Sequence, residues 1–211
     1  MHDSSAALIP YLMSFDKPFV LISTGTWSIS LNPFNQSPLT NDDLKQDCLN
    51  YLQYGGKPVK AARFFIGPAY EDGLEQLSAK YGVDKNEFLQ GEYLPALAEQ
   101  LTGKYKNINN DRGEADATLI YYRLMTDLVE KQKCSTDLIL SGTPVEQLFV
   151  DGGFSQNEVF MHMLAKAYPR LKVYSAFTPQ STALGAALAI HKHWNKASVP
   201  SQLIQLKYYP V

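Results

Sequence analysis

The chain has 211 residues, of which 45% are hydrophobic and 12% are aromatic, and its formal net charge at pH 7 is −2. Such a chain can bury a sizeable core as one large domain or two small ones, and it lacks the blocks of like charge and the long apolar runs typical of nucleic-acid-binding and membrane proteins. Cys48 and Cys134 stand outside any CxxC pair, and no N-terminal stretch has the order of a signal peptide, which predicts a cytoplasmic location.

The N-terminal segment predicts a helix followed by a hairpin. Residues 4–15 follow an Asp/Ser start and are typical of a helix, and residues 19–23 form an apolar run typical of a buried strand. A tight turn is predicted at 24–26, and residues 27–31 then alternate apolar with polar side chains as a paired strand does. Trp27, the first residue of that strand, is predicted to lie in the core or in the wall of a site, with the core favoured.

The middle of the chain begins with a turn-rich segment at about 32–66, in which one strand is predicted at 49–54. Helical spacing then recurs on both sides of a polar loop. The predicted elements are helices at 70–81, at 84–102 with breaks at Gly91 and Pro95, and at 114–133, and the loop at 107–113. The buried stripe of the last helix is predicted to comprise Ala117, Ile120, Tyr121, Leu124, Leu128 and Val129.

The final third alternates strands and helices. Strands are predicted at 148–150 and 173–175, and helices at 155–167 and 181–193. Crossovers of this kind imply parallel strands with right-handed connections. Small residues in the last helix predict that it lies very close to a sheet or another helix, and the tail after Trp194 is predicted to be extended on the surface.

The most informative feature is the pair Gly152 and Gly153, which follows the strand at 148–150 and precedes a helix. Glycines let the backbone approach a ligand closely, and a helix N-terminus presents unpaired N–H groups and a positive dipole end to it. Ser155 and Glu158 have the spacing of a capping box for that helix. A strand followed by two glycines is by itself more often an ordinary turn, so the assignment depends on other motifs.

Two histidines near the C-terminus form an HxH pair. His191 and His193 stand two residues apart on a predicted helix and therefore point to different faces, which argues against a metal site. At the end of a helix they are better suited to offset the dipole.

Four motifs occur in order along the chain. They are His2-Asp3-Ser4-Ser5-Ala6, Ser23-Thr24-Gly25-Thr26-Trp27, Asp151-Gly152-Gly153 with Asn157, and Thr182-Ala183-Leu184-Gly185-Ala186-Ala187. Together they resemble the C-terminal domain of FGGY-family carbohydrate kinases, and the Gly-Thr-Trp sequence is closest to the rhamnulokinase-like branch. The resemblance implies an α/β fold of the actin-like, ribonuclease-H-like ATPase type, with a mixed sheet flanked by helices.

The same resemblance implies ATP-dependent phosphorylation of a sugar, with Mg²⁺ as the accompanying ion. Transfer of the γ-phosphoryl group needs a carboxylate that accepts the hydroxyl proton and donors that hold the phosphates. By resemblance, Asp3 is the catalytic base and lies with His2 at the sugar, whereas without that match it would be a solvated acid or a helix cap. The implied ATP-binding residues are Thr24, Gly25 and Thr26 at the phosphates and Gly152, Gly153 and Asn157 at the ribose and adenine. The magnesium ligands stay unassigned.

Two departures from the family limit the expectation. The segment 64–72 lacks the Asn and Gln that contact sugar and nucleotide in rhamnulokinase-like sequences, so rhamnulose, fuculose, xylulose and other polyols stay open as acceptors. Residues 1–211 match the C-terminal ATP-binding domain alone, and no N-terminal sugar-binding domain precedes it, which predicts a chain inactive without that half and prone to self-association through an uncovered apolar face. The alternative is a non-catalytic nucleotide-binding or assembly module of the same fold.

Overall fold

The computed structural model describes residues 2–89, 91–99, 101, 116–178, 180–200 and 202–211; the predicted loop at 107–113 and the predicted helix boundaries at 102 and 114 lie outside them. The strands are β1 (Phe19–Thr24), β2 (Ser28–Asn32), β3 (Cys48–Leu52), β4 (Pro58–Phe64), β5 (Gln147–Gly152), β6 (Lys172–Phe177) and β7 (Gln205–Tyr209). The helices are α1 (Asp3–Ala7), α2 (Ile9–Ser14), α3 (Asn41–Lys45), α4 (Ile66–Tyr81), α5 (Lys85–Leu89), α6 (Pro95–Glu99), α7 (Ala117–Leu140), α8 (Glu158–Ala167) and α9 (Ser181–Trp194).

All the described strands belong to one mixed sheet with the order β3-β4-β2-β1-β5-β6-β7. β1 pairs in parallel with β5, and β5 pairs in parallel with β6, whereas the remaining neighbours are antiparallel. The predicted hairpin and the predicted parallel strands are therefore confirmed. Because β1 and β5 are adjacent and parallel, their carboxyl ends meet at the same edge of the sheet, where Thr24 stands opposite Gly152.

The central strands are buried on both faces. Side chains alternate along a strand, so Val20 and Ile22 of β1 join one apolar cluster while Phe19 and Leu21 join another. The first cluster contains residues of α4, α7 and α8, and the second contains Leu8 and a residue of α2. This continuous apolar character is expected of strands covered by helices on both sides.

The predicted helix at 4–15 is divided into α1 and α2. Pro10 lies in the first turn of α2, where its missing N–H is tolerated, and Leu8 forms the junction. The predicted close approach of the last helix is confirmed at Gly185, because a Cβ on this residue would lie 1.8 Å from the carbonyl oxygen of Ala6 in α1. α9 and α1 therefore touch backbone to backbone.

Three segments differ from the sequence-based expectation. The turn-rich segment contains α3, β3 and β4, of which only β3 corresponds to the predicted strand. Lys60 interrupts the apolar pattern of β4, yet it is buried because its Nζ lies 3.0 Å from Ser37 Oγ and 3.4 Å from Asp43 Oδ2. α7 continues past residue 133 to Leu140, and the tail does not stay on the surface throughout, since Tyr209 of β7 is buried.

A buried polar seam fixes α7 against β2. The Gln132 side-chain amide accepts from Ser28 Oγ at 2.5 Å and donates to Ser30 Oγ at 3.1 Å and Thr136 Oγ1 at 2.9 Å. All four residues are buried, so each hydroxyl depends on this amide or on a neighbouring hydroxyl for its partner. None of the helices in the described ranges is long and apolar enough to cross a membrane.

Candidate functional site

The site is built on the glycine turn at the carboxyl end of β5. Gly152 has φ +90° and ψ −159°, a region of backbone space that is essentially restricted to glycine. A Cβ at this position would lie 1.9 Å from the carbonyl oxygen of Thr24 on the neighbouring strand. Gly152 is therefore required by the backbone itself, before any ligand is considered.

Thr24, at the end of β1, hydrogen-bonds to this turn through its side chain. Its Oγ1 donates to the carbonyl oxygen of Asp151 at 2.6 Å and accepts from the N–H of Phe154 at 3.1 Å. The side chain is buried, and both hydrogen-bonding functions of the hydroxyl are used within the protein. The Thr24 hydroxyl therefore holds the glycine turn to the end of β1.

The hairpin turn after Thr24 is exposed. The N–H of Gly25 donates to the carbonyl oxygen of Trp27 at 2.9 Å, which closes the turn. The N–H of Gly67, in the first turn of α4, donates to the carbonyl oxygen of Thr26 at 3.0 Å. A Cβ on Gly67 would lie 3.0 Å from Thr26 Cα, so a glycine lets α4 begin directly against the hairpin.

A cavity of about 470 Å³ opens between the glycine turn, the hairpin turn and the start of α4. It is lined by Gly25, Gly67, Tyr70, Glu71, Gly153, Phe154, Gln156 and Asn157. Among the described residues that line the cavity there is one carboxylate and no Lys or Arg. A Cβ built on Gly153 would meet no atom within 4 Å, which leaves the backbone of this residue open to close approach.

Asn157 joins the cavity wall to the core. Its Oδ1 accepts from the N–H of Phe160 at 2.9 Å, and its Nδ2 donates to the hydroxyls of Tyr121 at 2.8 Å and Tyr70 at 3.2 Å. Burial raises the pKa of both tyrosines above the ordinary value. The hydroxyls therefore stay protonated near neutral pH, and the amide of Asn157 is fully engaged.

The predicted capping box at Ser155 and Glu158 is wrong. Residues 153–156 form a 3₁₀ turn, so α8 begins later than predicted, and Asn157 caps it instead. Ser155 Oγ donates to the carbonyl oxygen of Gly152 at 2.7 Å, and Glu158 Oε1 accepts from Lys207 Nζ at 2.7 Å in the tail strand.

Trp27 does not lie in the core. It is 39% exposed at the tip of the hairpin, its ring centroid is 4.8 Å from that of Phe65, and the guanidinium of Arg63 lies 5.0 Å from the ring. The predicted strand began at Trp27, whereas β2 begins at Ser28, so Trp27 belongs to the exposed turn.

Of the predicted site residues, Gly25, Gly153 and Asn157 line the cavity, and Thr24, Thr26 and Gly152 directly adjoin it. His2 and Asp3 lie elsewhere, at the exposed start of α1, where His2 Nδ1 is 2.6 Å from Asp3 Oδ1 and the N–H of Ser4 donates to the same oxygen at 2.6 Å. α1 is held in place by its backbone contact with α9.

Sequence reasoning missed the contribution of α4 to the wall. Gly67 followed by Pro68 is a signal for a helix start, and it could have indicated that α4 begins before residue 70. Nothing in the sequence pattern indicated that Tyr70 and Glu71 face the glycine turn. That proximity depends on the contact between α4 and the hairpin.

In the described part of the chain, no group of three or more His, Cys, Asp or Glu side chains is placed to hold a metal ion. Mg²⁺ is commonly bound through one or two carboxylates together with substrate phosphates and water. The exposed carboxylates of Asp3 and Glu71 fit that sparse kind of contribution.

The mixed sheet flanked by helices has the actin-like ATPase fold. The family model for the C-terminal domain of FGGY carbohydrate kinases matches residues 16–198. The chain therefore belongs to this family. No curated protein sequence matches it significantly.

Solved structures show the same fold. A carbohydrate kinase from Novosphingobium aromaticivorans matches with 24% identity and a TM-score of 0.66, covering 99% of this chain and 46% of its own. A ligand-bound xylulose kinase from Lactobacillus acidophilus matches with 12% identity and a TM-score of 0.70, covering 98% and 45%. Plasmodium falciparum glycerol kinase with ADP matches with 16% identity and a TM-score of 0.61, covering 92% and 42%. The chain thus spans just under half the length of these proteins.

Proposed function

We propose that this chain is the nucleotide-binding half of an ATP-dependent sugar kinase. Membership of the FGGY family supports the reaction class, and the cavity between Gly25, Gly67 and Gly153 is the observation that carries the proposal. Its walls come from the ends of two adjacent parallel strands and from the first turn of α4. Ligand sites at the carboxyl ends of parallel strands are the rule in α/β sheets.

The chemistry of the cavity favours the nucleoside part of ATP. A wall of Tyr70 and Phe154, whose ring centroids are 5.0 Å apart, offers apolar contact to a base, while Glu71 and Gln156 offer hydrogen-bonding groups at the rim. The described lining residues offer apolar and neutral polar contacts rather than cations, which suits a nucleoside better than a triphosphate. The phosphates then extend toward the hairpin, where the exposed Thr26 offers its hydroxyl and backbone.

Asp3 is proposed as the base of the transfer step. Its carboxylate takes the proton of the sugar hydroxyl as the oxygen attacks the γ-phosphorus, and the bond from phosphorus to the β-bridging oxygen breaks to release ADP. Mg²⁺, when bound with ATP, offsets the charge of the phosphates. His2 lies beside Asp3 and is proposed to contact the sugar.

The acceptor is proposed to be a ketose or deoxyketose such as rhamnulose, fuculose or xylulose. The Gly25-Thr26-Trp27 sequence supports the rhamnulokinase-like branch, while several of the structural neighbours are xylulose kinases. Because the chain spans under half the length of such kinases, we propose that a further domain supplies most of the sugar pocket and that residues 1–211 alone are inactive.

Two measurements test this proposal. An NMR titration of residues 1–211 with MgADP should shift the amides of Gly25, Thr26, Gly153 and Asn157, and adenosine should shift the same amides except that of Thr26, which is proposed to face the phosphates. Shifts confined to other surfaces would refute the site. Sugar-dependent ADP production by the isolated chain, tested on a panel of ketoses and deoxyketoses, would refute the proposed inactivity.

A complementary experiment separates the kinase from the non-catalytic module. Residues 1–211 would be combined with the N-terminal domain of a related sugar kinase, and ADP production would be compared between wild type and Asp3→Asn. A kinase loses activity at least 100-fold with this substitution, in the range typical of a lost general base. Nucleotide binding without any turnover in the combined protein would favour the module.

A further inference from the structure

An arginine and two aromatic side chains lie together at the exposed tip of the hairpin. The ring centroids of Trp27 and Phe65 are 4.8 Å apart, and the guanidinium carbon of Arg63 lies 5.0 Å from the centroid of the Trp27 ring. Both rings are exposed to solvent. A guanidinium is attracted to the face of an indole, and adjacent exposed aromatic rings are typical of surfaces that contact a ligand or another protein. This group is therefore a candidate binding surface beside the cavity.

The guanidinium of Arg63 is held in place without being fully used. Its Nε and Nη2 atoms donate to Asp47 Oδ1, each at 3.4 Å. Both hydrogen bonds are long and end on one oxygen, whereas a guanidinium carries five N–H groups in a planar fork. The Arg63 side chain is 35% exposed, so its remaining N–H groups can meet an anion that arrives from solvent.

The register of the sheet determines on which face Arg63 lies. Arg63 of β4 is paired with Ile29 of β2. Directly opposite residues of an antiparallel pair point to the same face, and Ile29 belongs to the apolar cluster that contains Leu8 and Tyr11. Arg63 therefore lies on the face of the sheet that α2 covers. α1, with Asp3 at its start, leads into α2 through Leu8 and lies on the same side.

The cavity opens on the opposite face. Phe154 in its wall belongs to the apolar cluster that includes residues of α4, α7 and α8, and Tyr70 packs against that cluster. A nucleotide with its nucleoside part in the cavity must therefore carry its phosphates across the end of the sheet to bring them near Asp3. The hairpin turn lies at this crossing, because Gly25 lines the cavity while Trp27 contacts Arg63 on the other side.

We propose that Arg63 is a phosphate-binding residue, whose guanidinium contacts the β- or γ-phosphate of ATP on the Asp3 side of the hairpin turn. This inference rests on the proposed function and adds a cation to the contacts that the described cavity walls offer. A planar guanidinium binds phosphate oxygens through two N–H groups at once, and a cation on a transferring phosphoryl group offsets the charge that develops there. Trp27 and Asp47 hold the guanidinium at this position.

The test is the affinity of residues 1–211 for MgATP, MgADP and adenosine, measured by NMR titration. Arg63→Ala should weaken MgATP binding about tenfold, as expected for a lost hydrogen bond between charged groups, and should leave adenosine binding within about twofold of wild type. Arg63→Lys keeps the charge but not the planar fork, so its MgATP affinity should lie only about threefold below wild type. A loss with both nucleotides would assign the contact to the β-phosphate, and a loss with MgATP alone would assign it to the γ-phosphate.

Arg170→Ala is the matched control. Arg170 is exposed and lies just before β6, at the amino end of the parallel strands, whereas the hairpin and glycine turns lie at their carboxyl ends. The substitution removes the same charge but should change MgATP affinity by less than about twofold. Both alanine variants should keep a Tm within about 2 °C of wild type, because each removes a side chain that is at least partly exposed.

A spectroscopic signal separates direct contact from a structural role. The Arg63 Nε–H resonance should shift with MgATP and stay unchanged with adenosine. Equal MgATP affinity in Arg63→Ala and Arg170→Ala would overturn the proposal and leave the nucleotide site standing. An equal loss of MgATP and adenosine affinity in Arg63→Ala would also overturn it, because it would show a purely structural role. A wild type that binds neither MgATP nor adenosine would refute the proposed function and this inference with it.

Discussion

Substituting alanine separately at Gly152 and Gly153 should separate folding from ligand binding. At Gly152 the backbone conformation is essentially restricted to glycine, and an added Cβ would lie 1.9 Å from a backbone oxygen. The conformational strain costs about 1–3 kcal/mol and the forced displacement of Thr24 costs about another 1–3 kcal/mol. Gly152→Ala should therefore lose about 4 kcal/mol, a large share of the stability of an ordinary domain.

Gly153→Ala should behave in the opposite way. Gly153 lies outside the left-handed region, and its added Cβ would meet no atom within 4 Å. The free energy of unfolding should change by less than about 0.5 kcal/mol. The methyl group would instead occupy the space through which a ligand approaches the backbone, and MgADP affinity should fall at least about tenfold.

The assay is thermal unfolding followed by circular dichroism, paired with the NMR titration. For a chain of this size about 4 kcal/mol corresponds to a fall of about 8–16 °C in Tm, whereas Gly153→Ala should shift Tm by no more than about 2 °C. A stable Gly152→Ala variant would refute the steric reasoning. A Gly153→Ala variant that binds MgADP like the wild type would refute the placement of the nucleotide.

Three further substitutions test the supports of the site and fold. Asn157→Ala should cost about 3 kcal/mol by urea unfolding, because it removes the cap of α8 and the amide that pairs the hydroxyls of Tyr70 and Tyr121, which keep a long contact of 3.5 Å with each other. Asn157→Asp retains the cap and lets the tyrosines donate, so it should lie within about 1 kcal/mol of wild type. Gln132→Ala should cost about 3 kcal/mol by the same assay, because it leaves the buried Ser28 hydroxyl without its partner and removes the hydrogen bonds to Ser30 and Thr136, which keep only each other. Lys131→Ala, on the exposed face of α7, should change little, and equal costs would contradict the role of the seam. Burial tends to raise the pKa of Glu158, but hydrogen bonds from Lys207 and Tyr209 outweigh burial and lower this pKa below its ordinary value of 4.5. The carboxylate therefore stabilises the fold above about pH 4.5, and this contribution is lost as the pH falls through the folded-state pKa. Glu158→Gln should flatten the acid limb of a Tm-against-pH profile, and an unchanged limb would show that this carboxylate carries no such linkage.

Local signals predicted the parts of the site that lie within one turn of the chain. The glycine turn and the hairpin each follow an apolar strand, and both were placed correctly because glycine and strand periodicity are local properties. The pairing of Thr24 with Gly152 could not be read in this way, since the two residues are distant in sequence and only sheet formation makes them neighbours. For the same reason the sequence did not predict the hydrogen bonds of the Thr24 hydroxyl to Asp151 and Phe154.

The errors arose where a tertiary contact overrides a local pattern. β4 was missed because Lys60 interrupts its apolar run, and a buried lysine is acceptable there only through Ser37 and Asp43, which come from an earlier segment. The tail strand was missed because its residues are mostly exposed, and Tyr209 alone is buried. Helix α8 was started too early because a 3₁₀ turn has no distinct sequence signal.

The exposed position of Trp27 has a practical consequence. Its indole stands at the tip of the hairpin, beside Gly25 of the cavity wall, and is 39% exposed. The only other tryptophan, Trp194, ends α9 and is 62% exposed. Because indole emission responds to solvent and to nearby quenchers, a Trp194→Phe protein would emit from the hairpin alone. The chain thus carries its own optical probe, with which the arrival of a ligand can be timed in a stopped-flow instrument without any label.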